Sequence, residues 1–306
     1  MERERYKTSV IIATKDRPQE LLKCLNSLMK TIRDYDEIII VENGSNNLLH
    51  MKWKDKRIRY FHLPNPGRIE ARNFGIHVAQ GEIVAFIDDD SIISPYWLQN
   101  LLDTYRQYPE AGSVGGKLIS KFMLRPFGPP GGKIKPWGSV IHNLQTGENA
   151  VETDVLSGGN MSFKKDALLK AGGFDATYDG MCYREENDPQ VRIKRLGYKL
   201  LYQPKAIVYH LESERGREIV TVKEHAKSRV KNHTYFYMKN YPLQNPLLIM
   251  LIPLFLLDIF LMLLIRYKNP LAFYHGFSGF LEAVSGFKDR IKLARSQQRL
   301  FSASFR

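Results

Sequence analysis

Glu82-Ile83-Val84-Ala85-Phe86-Ile87-Asp88-Asp89-Asp90 is the stretch on which the reading of this chain turns. After Glu82, Ile83 to Ile87 is a continuous apolar run of strand length, the pattern of a strand buried on both faces. Three carboxylates at the exit of such a strand repel one another, and folding alone has little use for them. A divalent cation relieves that repulsion, and its hard character suits carboxylate oxygens together with the phosphates of a ligand. An isolated acidic triplet would read as a solvated turn, so the surrounding chain has to decide.

Working outward, Ser9 to Ala13 reads as a first strand, Thr14 to Pro18 as a polar turn, and Leu21, Leu22, Leu25, Leu28 and Met29 as the apolar face of a helix. Glu37 to Val41 is a second buried strand that runs into Glu42-Asn43-Gly44-Ser45, Arg57 to Leu63 a third strand, and Ile69 to Ala79 a helix stopped by Gln80-Gly81. Strands alternating with helices predict an α/β fold with a mostly parallel central sheet covered on both faces. Ligands of such sheets bind at the carboxyl ends of the strands, where both polar loops fall. Further strands are expected over Gly112 to Lys117, Lys199 to Gln203 and Ala206 to Tyr209, with a long Gly- and Pro-rich loop over Phe122 to Gly138 and a turn and helix over Tyr183 to Gly197. Asp154 to Phe163 returns toward the core through Gly158-Gly159-Asn160.

Composition narrows the partners. The 306 residues are 43% hydrophobic and 25% charged, enough apolar matter for a large core, and the net charge of +13 asks for an anionic partner. No zinc-finger spacing or RNA-binding aromatic signature accompanies the basic clusters, which argues against nucleic acid. Cys24 and Cys182 are distant from each other, suiting free thiols in a reducing compartment. No apolar run follows Met1 to Arg5 closely enough to read as a signal peptide, so the catalytic part is expected on the cytosolic side.

The order of the motifs is more specific than any one of them. The turn after Ala13, the Glu42-Asn43 loop, Asn73 within Ala71-Arg72-Asn73-Phe74-Gly75, and Asp88-Asp89-Asp90 are followed by Gly158-Gly159-Asn160-Met161-Ser162-Phe163, Gly173-Phe174-Asp175 and Arg184-Glu185-Glu186-Asn187-Asp188, then by Tyr209-His210. This set, from roughly Thr8 to Tyr241, resembles the inverting family-two glycosyltransferases of GT-A fold. The resemblance implies a nucleotide-diphospho-sugar donor bound around Ala13, Glu42, Asn43, Arg68, Arg72, Asn73, Asp88 and Asp89. It implies a divalent metal, Mn2+ or Mg2+, at Asp90 with Asp88 and His210, and an acceptor against Gly158, Gly159 and Asn160. It also implies a general base at Glu186, where relatives carry Asp, with Glu185 as the substitute. Asn43 likewise stands where many relatives have Asp, which leaves the base of the nucleotide open. Arg68 and Arg72 sit by a helix start and could pair with phosphates, but Arg72 fits a solvated helix face equally well. His210 fits a structural histidine as well as a ligand, and the glycines fit plain turns as well as a close approach.

After Pro246 the composition changes. Leu247 to Ile265 is about nineteen almost wholly apolar residues, long enough for a membrane helix, with Asp258 its one charge and Pro253 expected to kink it. Leu271 to Phe287 is a second, less apolar segment. A single span or a hairpin would place Lys288 to Arg299, or Arg266 and Lys268, outside the cytosol, so monotopic attachment through residues 246–287 is expected, at the cytoplasmic face of a membrane. The chain then divides into a catalytic domain over 1–241 and a membrane-associated region with a basic tail over 242–306, and the acceptor becomes a lipid-linked glycan or a polyprenyl phosphate. A metal-dependent nucleotidyltransferase, or a non-catalytic basic protein binding membrane or nucleic acid, are the competing readings. The first lacks a Gly-rich basic loop near the N-terminus, and the second would have no use for the aspartates.

Overall fold

The computed structural model describes residues 6–44, 54–64, 67–120, 128–211, 221–241, 250–268 and 270–303. Ser45, the start of the long loop at 121–127, and residues 242–249 with the beginning of the apolar tail lie outside them. Strands β1 (Thr8–Thr14), β2 (Glu37–Glu42), β3 (Ile58–His62) and β4 (Ile83–Ile87) lie in the order β3-β2-β1-β4, all parallel. Helices α1 (Pro18–Leu28) and α2 (Arg68–Val78) make the crossovers. Alternation along each strand divides the side chains between two cores. Val10, Ile12, Ile38, Ile40, Ile83 and Ala85 meet Leu21, Leu25 and Leu28 of α1 on one face. Ile11, Ile39, Val41, Val84 and Phe86 meet Ile69 and Ile76 of α2 on the other. Each fully buried aliphatic side chain contributes about 1.5–3 kcal/mol, which is why these runs carry no polar interruption.

Beyond β4 come β5 (Ser91–Ile93), α3 (Trp97–Gln107) and β6 (Ala111–Ser120), then the β7–β8 hairpin (Gly131–Ile134 and Val140–Asn143), β9 (Val151–Glu152) and β10 (Asn160–Lys164). Helices α4 (Lys165–Lys170) and α5 (Asn187–Arg195) precede β11 (Lys199–His210). Here the sheet becomes mixed: β10 enters antiparallel between β4 and β6, and β6 pairs in parallel with β11. The two strands expected at Lys199 to Gln203 and Ala206 to Tyr209 are one strand with a register shift between Gln203 and Ile207. Pro204 cannot donate to the ladder, and the shift accommodates it.

Helix α6 (Val222–Asn240) starts with a capping box in which Glu224 N donates to Thr221 Oγ1 and Thr221 N to Glu224 Oε2. Three helices follow: α7 (Ile252–Tyr267), α8 (Pro270–Ser285) and α9 (Phe287–Ala303). Phe255, Ile259 and Leu263 of α7 and Ala272 of α8 join Val230 and Tyr237 of α6 in a third core. A Cβ at Gly279 would collide with the Lys227 carbonyl oxygen, so glycine there lets α8 lie directly on α6. Phe287, Ile291 and Phe301 of α9 pack on the second face of the sheet's core, and Arg290 donates to Thr177 O at 2.7 Å.

The expected apolar segment begins at residues 247–249, which lie outside the described residues, so its expectations are met only from Met250 onward. Pro253 falls in the first turn of α7, where a missing N–H costs nothing, just after the turn at Leu251 that separates the helix from helical Met250. The 16 described residues of α7 span about 24 Å, and among the described residues no helix is long and apolar enough to cross a membrane.

Candidate active site

Strand β4 ends at Ile87 and delivers its carboxylates to alternate sides. Asp88, one-third exposed, and buried Asp90 face His210 at the end of β11. His210 Nε2 lies 2.8 Å from Asp90 Oδ1 and 3.7 Å from Asp88 Oδ2. Asp89 points the other way, accepting from Thr14 Oγ1 at 2.7 Å and Arg17 Nη1 at 3.1 Å. Burial pushes its carboxyl up to about 6, against the opposing pull of Thr14 and Arg17. Arg17 Nη1 also reaches Asp90 Oδ2 at 3.6 Å, so one guanidinium ties the turn after β1 to two of the three aspartates.

On the far side of Asp88 stands Arg72, 5% exposed. It is no solvated helix residue. Its Nη2 lies 3.6 Å from Asp88 Oδ1 and donates to Gly158 O at 3.4 Å, and its Nη1 donates to Glu185 Oε1 at 2.5 Å. Arg68, at the first position of α2, adds a second cation 3.3 Å from Glu185. Glu185 is thereby locked at 1% exposure between two arginines. Glu186 keeps part of its surface open and enters no ion pair among the described residues. Burial first, and then the neighbouring Glu185 charge, raise its carboxyl above the usual carboxylate range.

The glycines complete the cleft. A Cβ on Gly159 would stand 2.6 Å from Asp88 Oδ2, so the backbone can approach that carboxylate only without a side chain. Gly158 adjoins both Arg72 and Glu186. In the β2 loop, buried Glu42 accepts from Asp16 N at 3.2 Å and Gly44 N at 2.7 Å, bracing the loop, while its Oε2 is buried without a hydrogen-bond partner. Burial raises its carboxyl as well. Asn43 N donates to Thr14 O at 2.9 Å, which brings this loop beside the turn after Ala13.

Two expected site residues are occupied elsewhere. Asn73 donates to Phe174 O at 2.8 Å and accepts from Phe174 N at 2.9 Å, a two-bond clamp on the Gly173-Phe174 turn. Asn160 accepts from Trp97 Nε1 at 2.8 Å and donates to Lys117 O and Ala206 O, each at 2.9 Å, so its amide ties strands together and does not face the cleft. Arg17 and Thr14, conversely, were read as a plain turn. Because β1 and β4 are parallel neighbours, their exits meet, and a basic residue after β1 opposite an acidic exit of β4 was the available signal.

Among the described residues no group of three His, Cys, Asp or Glu side chains is set out as a preformed metal cage. His210 instead lies directly against Asp90, with Asp88 at 3.7 Å. Their donor set of carboxylate oxygens and one imidazole nitrogen suits a divalent cation, and the contacts of 2.8 and 3.7 Å bracket the separation of about 3 Å between neighbouring ligands of a six-coordinate ion. The residues fit such a group.

Comparison with known proteins bears on the whole constellation. Residues 9–171 match the glycosyl transferase family 2 domain. A glucosyl-dolichyl phosphate glucuronosyltransferase of Haloferax volcanii is 27% identical over 224 residues, covering 67% of this chain and 69% of that protein. With other relatives the matched stretch covers between 9% and 35% of their length. S. aureus TarS 1–349, solved with UDP-GlcNAc, superposes with a TM-score of 0.61 at 18% identity, over 98% of this chain and 91% of that one. GalNAc-T7, solved with UDP, GalNAc and Mn2+, gives 0.59 at 18% identity over 76% of this chain and 50% of that one. Both share its GT-A architecture. The chain belongs to glycosyl transferase family 2 and is a glycosyltransferase.

Proposed function

We propose that the protein transfers a sugar, with inversion, from a nucleotide-diphospho-sugar to a hydroxyl of a lipid-linked acceptor. The observation that carries this reading is the division of labour around Arg72: Asp88 lies on one side, and Glu185 is locked on the other while Glu186 is left open. The acceptor oxygen forms a bond to the anomeric carbon as the bond from that carbon to the diphosphate breaks. The hydroxyl proton passes to Glu186, and the electron pair leaves with the nucleoside diphosphate. A phosphate acceptor would arrive already ionised, so a carboxylate held ready for a proton favours a sugar hydroxyl. Asp88, Asp90 and His210 would hold a divalent cation, Mn2+ or Mg2+, whose charge offsets the negative charge gathering on the diphosphate. Arg17 steadies Asp89 and Asp90 at that end, and Arg72 and Arg68 fix the Glu185 side of the cleft.

The tail supports attachment to a membrane surface. Leu254, Leu257, Phe260, Leu261 and Leu264 stand between 42% and 50% exposed on α7, and Leu271, Tyr274 and Phe277 of α8 are more exposed still. Residues 1–241 then act as the catalytic unit and the later helices as its monotopic anchor at the cytoplasmic face, consistent with the dolichyl-phosphate chemistry named for the Haloferax relative. The test is a panel of nucleotide sugars with the full-length protein, reading release of nucleoside diphosphate with and without Mn2+. Metal-dependent release with one donor supports the reading; no release with any donor, with metal and a membrane extract present, overturns it.

A further inference from the structure

The last helix carries a charge pattern that neither the sheet nor the cleft uses. Phe287, Ile291 and Phe301 of α9 pack on the second core, and Ala294 is buried between them in sequence. Arg290 also turns inward, donating to Thr177 O at 2.7 Å and to Asn232 Oδ1 at 3.1 Å, with its guanidinium 4.0 Å over the Tyr235 ring. Lys288, Lys292, Arg295 and Arg299, by contrast, are all exposed. Their spacing of four, three and four residues sets them in one stripe along the helix.

A solvated helix face ordinarily mixes the two signs, because opposite charges three or four residues apart stabilise a helix and like charges destabilise it. This stripe is cationic throughout, and none of its four members forms an ion pair among the described residues. The lysines of neighbouring α6 behave differently. Lys227 pairs with Glu282, Lys231 with Asp179 at 2.7 Å, and Lys239 with Asp175 at 2.6 Å and Asp188 at 2.9 Å. Among the described residues nothing offsets the repulsion along α9.

The stripe takes up where an exposed apolar row ends. On α8, Tyr274, Phe277, Leu281 and Val284 are between 44% and 71% exposed and recur every three or four residues. The same spacing carries on from Val284 to Lys288. Backbone hydrogen bonds reach across the junction at Gly286, whose N–H donates to Glu282 O and whose carbonyl accepts from Arg290 N, each at 3.0 Å. Leu293 and Leu300, 52% and 71% exposed, lie among the cations two turns apart. Arg295 and Arg299 also border, with Gln298 and Lys170 of α4, a surface hollow of about 450 Å³; Lys170 itself is paired with Asp166 at 3.1 Å.

We propose that Lys288, Lys292, Arg295 and Arg299 bind the headgroup phosphates of anionic phospholipids, so that the membrane attachment proposed above, on which this rests, is selective for anionic lipid. Charge complementarity chooses the occupant: a helix lying in the membrane interface presents a basic face beside an apolar one, and a negative leaflet attracts each cation near it. Leu293 and Leu300 enter the headgroup layer, and the hollow beside Arg299 has room for a headgroup. A second copy of this chain would bring the same positive stripe and be repelled. Nucleic acid would match the charge, but Leu281, Val284, Leu293 and Leu300 offer its bases no stacking surface.

The experiment sediments full-length protein with vesicles of phosphatidylcholine alone and of phosphatidylcholine mixed with phosphatidylglycerol. Each cation near an anionic surface contributes about a factor of five, so the mixed vesicles are expected to bind at least ~30-fold more tightly. The gain should shrink as salt is raised. Lys292→Gln combined with Arg295→Gln is expected to remove ~10-fold or more of the affinity for mixed vesicles. Binding to neutral vesicles, the fold and Mn2+-dependent UDP binding should stay unchanged in that variant. Equal wild-type binding to both vesicles, or a double variant that holds mixed vesicles as well as the wild type does, would overturn the headgroup site and leave the apolar attachment standing. Binding to neither vesicle would overturn both. A single-stranded RNA homopolymer bound as tightly as the mixed vesicles, and released by the same two substitutions, would overturn the lipid assignment and give the stripe to nucleic acid.

Discussion

Arg72 Nη1 donates to Glu185 Oε1 at 2.5 Å inside the protein, and the Glu185 side chain is only 2% exposed. That bond holds one of two adjacent glutamates in place and leaves the other without an ion pair among the described residues.

Glu186→Gln keeps the size and polarity of the side chain but cannot accept the acceptor's proton. Transfer is expected to fall by at least ~100-fold with nucleotide binding intact, whereas Glu185→Gln is expected to be milder in rate. Steady-state transfer alongside calorimetric binding checks the pair, and reversed severities would exchange their roles.

Arg72→Met removes the nearer of the two cations that hold Glu185 and leaves its buried carboxylate to Arg68 alone. Destabilisation of about 3 kcal/mol or more is expected from urea unfolding. The double variant Arg72→Met with Glu185→Leu should recover part of it, because the stranded charge is gone.

Because burial and the Glu185 charge raise the Glu186 carboxyl, the ionised, active form is lost on acidification sooner than for an ordinary glutamate. The acid limb of kcat/KM should lie above the reference value of about 4.3. Glu185→Gln removes one cause and should move that limb to lower pH. A limb that does not move would separate Glu186 from the rate.

His233 is held neutral, its pKa well below the ordinary imidazole value. The unfolded chain takes up a proton near pH 6.5 where the folded one does not, so stability should rise with pH up to about 6.5 and fall below it. Melting temperatures at pH 5 and pH 7.5 should differ less in His233→Gln than in the wild type.

Asp90→Ala and His210→Gln are expected to weaken Mn2+-dependent nucleotide binding by ~10-fold or more, with melting temperatures that show a folded protein. Asp89→Asn, whose side chain faces Thr14 and Arg17, should affect stability more than metal binding. Calorimetry with and without Mn2+ distinguishes them.

How much of this was legible in the sequence depended on whether a signal was local. The Val and Ile runs of β1, β2 and β4 announced a sheet covered on both faces, and their polar exits announced the cleft. Strand β10 gave no such sign, because Asn160 to Lys164 is short and its antiparallel place between β4 and β6 is set wholly by distant pairing. For the same reason Asn160 and Asn73 looked like ligand contacts: an amide's pattern does not reveal that Trp97 or Phe174 will claim it. Asp258 looked like a charge stranded in an apolar helix until the fold brought Ser139 to it.

The return of α9 onto the core, where Phe287, Ile291 and Phe301 cover the face behind Tyr235, sets an order of events during synthesis. The nine-stranded sheet can pair before this helix has left the ribosome, but its second core remains open to water until it has. The apolar α7 and α8 emerge earlier. Under the proposed membrane attachment, a nascent chain would meet a lipid surface before its body is sealed, which would make attachment an early step in maturation and α9 a latch on the enzyme.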